Sequence, residues 1–591
     1  MAFGLWLRFG YPRFSFISFS VDRGTALLKA QEAVRSRGFD SSHYSRAILF
    51  ECDDWADRYL QKTLTMEAAE DFIRAQDYEV FYWKVRFFRE LSKEEFIVWI
   101  SPRTGEALSF KHLIDDIEPR AAIDKDEARR KAESFLKETY HLNFDEYEFH
   151  EEKIRRFDKR LDYWFSWEKK GVYVPWGREE GGAKLLVSAT ISGNEVREFY
   201  KHELDVPEKF ERYIQNQFIF GEYLSSISFL LFIVLVGWSV ALVVKKRSSV
   251  VVRFCKPWYI FLGLFLVFVN ILYVVNNIHQ ALMQYPTSAR FSSFIGLSVT
   301  QFLVDAIFLA VMLIMPGLAG EAVFRESFPD AQQHTFLHYL RSTFRSRGMA
   351  HAVGLGYLVF IIMLGMQATL FYYGQRYCGV WQEWLRMTQY SSAFLPFVSA
   401  FAVAASASFS EEISFRLFGI SILKKYVKNT AAAILISAFI WGFGHSQYAI
   451  FPVWFRGIEV GIMGIMLGFL FVRYGLIPLI VAHYLFDAFW GVAAHICGRS
   501  TPLLWGGAVA VMALPLLIGI VAYAANKEEK ERDIQSGMDR IQSYNLQVLT
   551  AFVASQKAAG MNAQTVRETL LSHNWDYDLV ELAVSNVFGR V

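Results

Sequence analysis

The sequence predicts a polytopic α-helical membrane protein of about nine transmembrane helices, with an N-terminal α+β extracytoplasmic domain and a small helical C-terminal tail. Three observations carry this. Composition is split: residues 20–220 are rich in charge, whereas 223–524 hold one long apolar run after another. Lys and Arg crowd alternate loops between those runs. Acidic residues, an arginine and two histidines sit among the last apolar runs, where a charged group costs about 2.5–3.5 kcal/mol even on the mildest insertion scale. The net charge of +2 comes with no basic tract, which argues against a nucleic-acid partner. Four widely spaced cysteines (Cys52, Cys255, Cys378, Cys497) form no CxxC or His/Cys spacing, so neither a disulfide framework nor a zinc knuckle is indicated.

Met1 to Gly10 is apolar and aromatic but broken by Arg8, and too short for a spanning helix or a full secretory signal, and 1–20 is set apart with it. This stretch is read as the remnant of a truncated signal or transmembrane segment, with Phe3 to Phe9 the tail of a lost first helix. Residues 20–118 and 122–220 read as two copies of one unit. Val21-Asp22 through Ala30 and Ile123-Asp124 through Ala132 align without gaps, each with an aspartate placed to cap an amphipathic helix. Alternating aromatic and β-branched stretches follow, at 82–87 and 96–100 in the first copy and at 163–167 and 184–189 in the second, and these predict strands. Helix then antiparallel strands, twice over, resembles the PepSY-type modules found outside bacterial membranes.

Nine apolar runs begin at Tyr223, at approximately 223–244, 257–276, 294–318, 351–374, 391–409, 430–445, 455–474, 476–496 and 503–524. The first four make a unit over 223–390, and 391–524 makes a second. After runs 1, 3, 5 and 7 come Lys245, Lys246, Arg247, Arg253, Lys256, then Arg325, Arg341, Arg345, Arg347, then Arg416, Lys424, Lys425, Lys428, then Arg473. The alternate loops carry Arg290, Arg376, Arg386 and Arg499. Cations mark the cytoplasmic face, so the front domain is expected outside and the tail, 525–591, inside. That tail shows apolar residues at helical spacing (Leu546, Leu549, Phe552, Val553), with Asn562 placed to cap a further helix.

Three motifs carry chemistry. Glu411-Glu412 precede Arg416, and helical spacing puts Glu412 and Arg416 on one face while Glu411 turns away toward a cavity. The motif is placed on the inner side of run 5. His445 ends run 6, one turn after Trp441, with Gly442 and Gly444 permitting close packing. His483 and Asp487 lie one turn apart in run 8, where a carboxylate can orient an imidazole. Glu-Glu-x-x-x-Arg, aromatic-x-x-x-His and His-x-x-x-Asn/Asp in successive spans resemble the CPBP family of intramembrane proteases, which includes the CAAX prenyl endopeptidases. Trp441 stands where that family usually has Phe, and Asp487 where it often has Asn.

The resemblance implies an endopeptidase that hydrolyses a peptide bond near or within the membrane. Glu411 and His445 would activate water, Glu412 and Arg416 would position them, and His483 and Asp487 would steady the oxyanion. The expected partners are membrane lipid and a peptide or membrane-protein substrate, in a bacterial plasma membrane. A divalent metal, zinc, held by glutamate and two histidines and a metal-free glutamate both remain open. Other intramembrane protease motifs (Gly-x-Ser-Gly, His-Glu-x-x-His, Gly-x-Gly-Asp) are absent, and His334-Thr-Phe-Leu-His338 lacks the glutamate. The rival is a transporter or sensor with an outer ligand-binding domain, in which Asp305 and Glu459 join Glu411, His445, His483 and Asp487 as an ion or proton path. A family member that binds membrane proteins without cutting them ranks last.

Overall fold

The structure, a computed structural model, describes residues 1–10, 17, 19–64, 66–177, 181–329, 331, 335–336, 344–383, 390–498, 500–526, 535 and 538–589. His334, His338, Arg341, Arg386 and Arg499 lie outside the described residues.

The front domain is one eight-stranded antiparallel sheet built from two equivalent halves. In the first, α2 (Arg23–Arg35) precedes β1 (Ser45–Cys52), β2 (Phe81–Phe88), β3 (Glu95–Ile100) and β4 (Ala107–Leu113), with α3 (Asp54–Thr63) and α4 (Met66–Ala75) between β1 and β2. In the second, α5 (Lys125–Tyr140) precedes β5 (Tyr147–Phe157), β6 (Arg160–Pro175), β7 (Gly182–Ser192) and β8 (Glu195–Asp205). Asp22 and Asp124 cap their helices by accepting from the Thr25 and Glu127 amides at 2.8 and 2.7 Å. Strand order is β1-β2-β3-β4-β8-β7-β6-β5, so the halves join where β4 pairs with β8 around Phe110 and Phe199. The buried rings of Phe96, Phe110, Phe165 and Phe199 form the core beneath the helices. The strands predicted from alternation lie inside β2, β3, β6 and β7. β1, β4, β5 and β8 are additional.

Among the described residues, seven helices are long and apolar enough to cross a membrane. They are α6 (Glu208–Lys245), α7 (Val250–Asn276), α9 (Phe291–Ser327), α10 (Arg347–Cys378), α14 (Val453–Tyr474), α15 (Leu476–Cys497) and α16 (Pro502–Ala525), with a short α8 (Ile278–Gln284) between α7 and α9. The two remaining sequence-predicted runs differ in form. The run at 391–409 is the first part of a longer rod: α11 (Pro396–Glu411) passes through a π-helical stretch, Glu412–Ile420, into α12 (Ser421–Val427). The run at 430–445 is the short α13 (Thr430–Phe443), 14 residues, capped by Asn429.

This corrects the depth expected for the acidic pair. Helical geometry does not stop at Phe409 but continues to Val427, so Glu411 and Glu412 lie at the middle of the rod and not at its inner end. At 1.5 Å per residue they are about 22–24 Å from either end. Because α13 is about 21 Å long, its far end reaches the same mid-level, and the two motifs meet without a re-entrant loop.

The front domain and the tail cap opposite ends of the helices. Arg86 donates to the carbonyls of Leu282, Met283 and Tyr285 at 3.2, 2.9 and 2.8 Å, in the α7–α9 connection. Arg58 pairs with Glu383, and Arg23 donates to the Ser392 carbonyl, both in the connection after α10. At the other end Asp578 meets Arg325 at 2.9 Å and Arg253 meets Asp539. The tail is three helices, α17 (Arg540–Ala558), α18 (Ala563–Ser572) and α19 (Tyr577–Phe588), closed around Leu549, Val553 and Val580. The N-terminal α1 (Ala2–Phe9) lies among the membrane helices, Trp6 against Phe489 and Gly10 against Ala368 of α10.

Candidate active site

A cavity of about 980 Å3 reaches the middle of the helices, and Glu411, Trp441, His445, His483 and Asp487 all line it. Glu411 ends α11 with its side chain 28% exposed, whereas the neighbouring Glu412 is completely buried. The rotation between successive residues of a helix separates their duties. Glu412 faces away from the cavity, with Arg416 Nε at 3.3 Å and His483 Nδ1 at 2.8 Å. Arg416 is itself buried, and its guanidinium lies over the Trp441 ring at 4.0 Å. Its terminal amines find no hydrogen-bond partner among the described residues, so the carboxylate and the indole face together hold its charge.

Trp441 is the hub. Its indole N–H donates to the Glu411 carboxylate, and its ring packs edge-on against His445 (5.3 Å) and His483 (5.7 Å). The sequence drew attention to position 441 only as an aromatic spacer. A phenylalanine there would keep the ring contacts and lose the donor.

His445 sits just past the end of α13. Its Nδ1 is 2.8 Å from the Trp441 carbonyl, which can only accept, so Nδ1 carries the proton and Nε2 is the acceptor of the neutral ring. Gly442 explains how α13 comes so close to α14: a Cβ there would lie 2.5 Å from the Gly457 carbonyl oxygen. Gly444 faces Ser228 of α6 instead.

His483 lies between carboxylates. Nδ1 meets Glu412, while Nε2 has Asp487 at 3.4 Å and Glu411 at 3.9 Å. Asp487, one turn on, was expected to orient the ring, but the shorter contact is to Glu412, from a different helix.

The cavity wall also includes residues that sequence reading missed. Arg456, in the first turn of α14, pairs with the fully buried Glu459, which accepts from Gln367 at 3.2 Å. Its guanidinium reaches the Tyr448 ring, which stacks on His445. An arginine three residues before a glutamate in an apolar run was the available signal. Glu459 is thus paired within the bundle, and Asp305 is exposed on α9 with Gln301 of the same helix donating to it. The structure does not bring Asp305 into the site.

Residues 393–489, which contain all six predicted site residues, match the family model described as Type II CAAX prenyl endopeptidase Rce1-like. This segment is similar to the Rce1-like endopeptidases and is called the Rce1-like core below. The chain is also 28% identical over 131 residues to the sporulation-killing factor biosynthesis protein SkfC of Bacillus subtilis (strain 168), over 21% of this chain and 25% of that protein. It therefore matches only about a quarter of the length of that curated relative. No solved structure matches the chain. The front domain, α6–α10 and the tail all fall outside the Rce1-like core.

Among the described residues, no group of three or more His, Cys, Asp or Glu side chains is placed to hold a metal ion. His445 spends Nδ1 on a backbone carbonyl and His483 spends Nδ1 on Glu412. Nδ1 bonds of this kind leave Nε2 as the remaining ring nitrogen, and they also orient imidazoles that ligate a metal through Nε2.

Proposed function

We propose that this protein is an intramembrane endopeptidase whose Rce1-like core hydrolyses a peptide bond with water activated by Glu411 and His445. The observation that carries the reading is the convergence of Glu411, His445, His483 and Asp487 on one cavity at the middle of the helices. Hydrolysis there needs a base, a polarised carbonyl and a polar chamber shut off from lipid. Glu411, oriented by the Trp441 N–H, takes up one proton as the water oxygen attacks the carbonyl carbon, while Nε2 of His445 accepts a hydrogen bond from the same water. His483, held through Nδ1–H by Glu412 and flanked by Asp487, donates Nε2–H to the developing oxyanion as an imidazolium. The C–N bond then breaks, and the proton passes from Glu411 to the leaving amine. Arg416 acts only through Glu412 and Trp441, as a positioning residue.

The front domain shares its end of the bundle with the cation-poor connections, and the tail shares its end with the cation-rich ones. This supports an extracytoplasmic front domain of two PepSY-like repeats and a cytoplasmic tail. The test compares newly formed peptide termini in membranes carrying the wild-type chain or Glu411→Ala at equal insertion. Termini that require Glu411 are expected, and identical sets would overturn the reading. Dialysis of the purified protein against a chelator is expected to leave cleavage intact. A loss that zinc reverses would overturn the metal-free route.

A further inference from the structure

A second cavity, about 680 Å3, reaches the same site from another direction. Ser225, Ser228 and Phe232 of α6 form one wall, and Ile440 and Gly444 at the end of α13 form the other. Glu411, Trp441, His445 and Tyr448 belong to both cavities, so the catalytic groups are a partition between them.

The two approaches differ in character. The first cavity runs beneath the front domain, where Gln61, Lys62 and Glu70 line it, so it is the aqueous side. Its flank along α10 is occupied by α1, through Trp6 and Gly10. The second opens at the level of the bilayer, along a helix whose most apolar stretch has mean hydropathy 2.8. Its rim is exposed hydrocarbon: Phe229 is 52% exposed and Leu230 64%. Behind that rim the lining turns polar, with the buried Ser225, Ser228 and Ser410 beside the catalytic groups and the exposed Ser226 and Gln447 at its edge. An apolar rim leading to hydroxyl and amide groups suits one occupant, a membrane-embedded chain that unwinds as it enters. A helix that opens within lipid exposes backbone N–H and C=O groups, each of which needs a polar partner there. Fastening is local: Ser228 donates to the Ile440 carbonyl, and the Phe232 ring stacks on Phe415 at 4.9 Å.

We infer that the cleft between α6 and α13 is the lateral port through which an apolar, membrane-embedded polypeptide reaches Glu411, while the cavity beneath the front domain supplies water and releases the hydrophilic product. The inference rests on the proteolytic reading but places substrate selection in α6, outside the Rce1-like core.

Photocrosslinking tests it on the full chain reconstituted with a single-spanning probe, a Leu/Ala-rich helix of about 20 residues with basic flanks. In the Glu411→Ala background, p-benzoylphenylalanine replaces Leu230 or Ile233 at the port. The comparison sites are Leu264 or Phe268 on the exposed face of α7 and Phe371 or Tyr372 of the first cavity. Adducts several-fold above the α7 sites are expected from Leu230 and Ile233 alone. Adducts from Phe371 or Tyr372 instead, or from no site above α7, overturn the port. Cleavage of the same probe by the wild-type chain but not by Glu411→Ala keeps the proteolytic reading in either case. Cleavage unchanged in Glu411→Ala ends that reading and the port with it.

Discussion

Glu411 and Glu412 are chemically identical neighbours, and replacing each by glutamine separates catalysis from architecture. Glu411 faces the cavity and accepts from the Trp441 indole, a bond that a glutamine oxygen can also accept. Glu411→Gln should therefore shift stability by no more than about 0.5 kcal/mol while removing a general base, a loss of roughly 10²–10⁴ in rate. Glu412 is completely buried against buried Arg416. Glu412→Gln strands that guanidinium, and breaking a buried pair from one side costs about 3–5 kcal/mol. The double variant Glu412→Gln/Arg416→Met removes both charges and should recover most of that cost, so the two single effects must be strongly non-additive. Stability is read by SDS titration followed by circular dichroism, and activity by cleavage of a reconstituted peptide probe. Equal destabilisation by Glu411→Gln and Glu412→Gln, or additive effects at 412 and 416, would refute the division of labour derived from their burial.

Three further perturbations follow from single contacts. Trp441→Phe keeps a ring beside Arg416 and both histidines but deletes the N–H on Glu411; cleavage should slow about tenfold, the worth of one hydrogen bond of ~1.4 kcal/mol. Arg58→Glu places a carboxylate against Glu383, so hydrogen exchange in α3 and at 381–383 should rise, and Arg58→Glu/Glu383→Arg should return part of the protection. Burial holds the Asp578 carboxyl up at about 6, against an ordinary 3.8, despite the neighbouring Arg325. A carboxyl raised on folding favours docking fully only below its unfolded value, and that contribution is lost as pH rises through about 6. After division by the intrinsic exchange rate, α19 should therefore be less protected at pH 7.5 than at pH 5, and Asp578→Asn should flatten that dependence of the protection factor.

What was legible in the chain was whatever depends on local composition. Long apolar runs announce spanning helices because every residue contributes to the same transfer free energy. An aspartate before an amphipathic run announces a cap because its partner amide is three residues away, as at Asp22 and Asp124. The three motifs stood out because Glu411, Arg416, His445, His483 and Asp487 are costly among apolar neighbours. The number of spans was less legible. Hydropathy ends the run before the charged Glu411, whereas the backbone continues through Glu412–Ile420 to Val427.

The sequence alone therefore determined a membrane protein with a front domain and a polar cluster in its last helices. The spacing of Glu412 and Arg416 already told the two glutamates apart, and tertiary structure decided what surrounds them, the Trp441 N–H at Glu411 and the Trp441 ring over Arg416. It also decided that His483 is held by Glu412, 71 residues away, and that β4 joins β8 across the two halves of the sheet. These contacts join residues far apart in the chain, so no local pattern encodes them. They follow from which faces the packed helices and strands bring together.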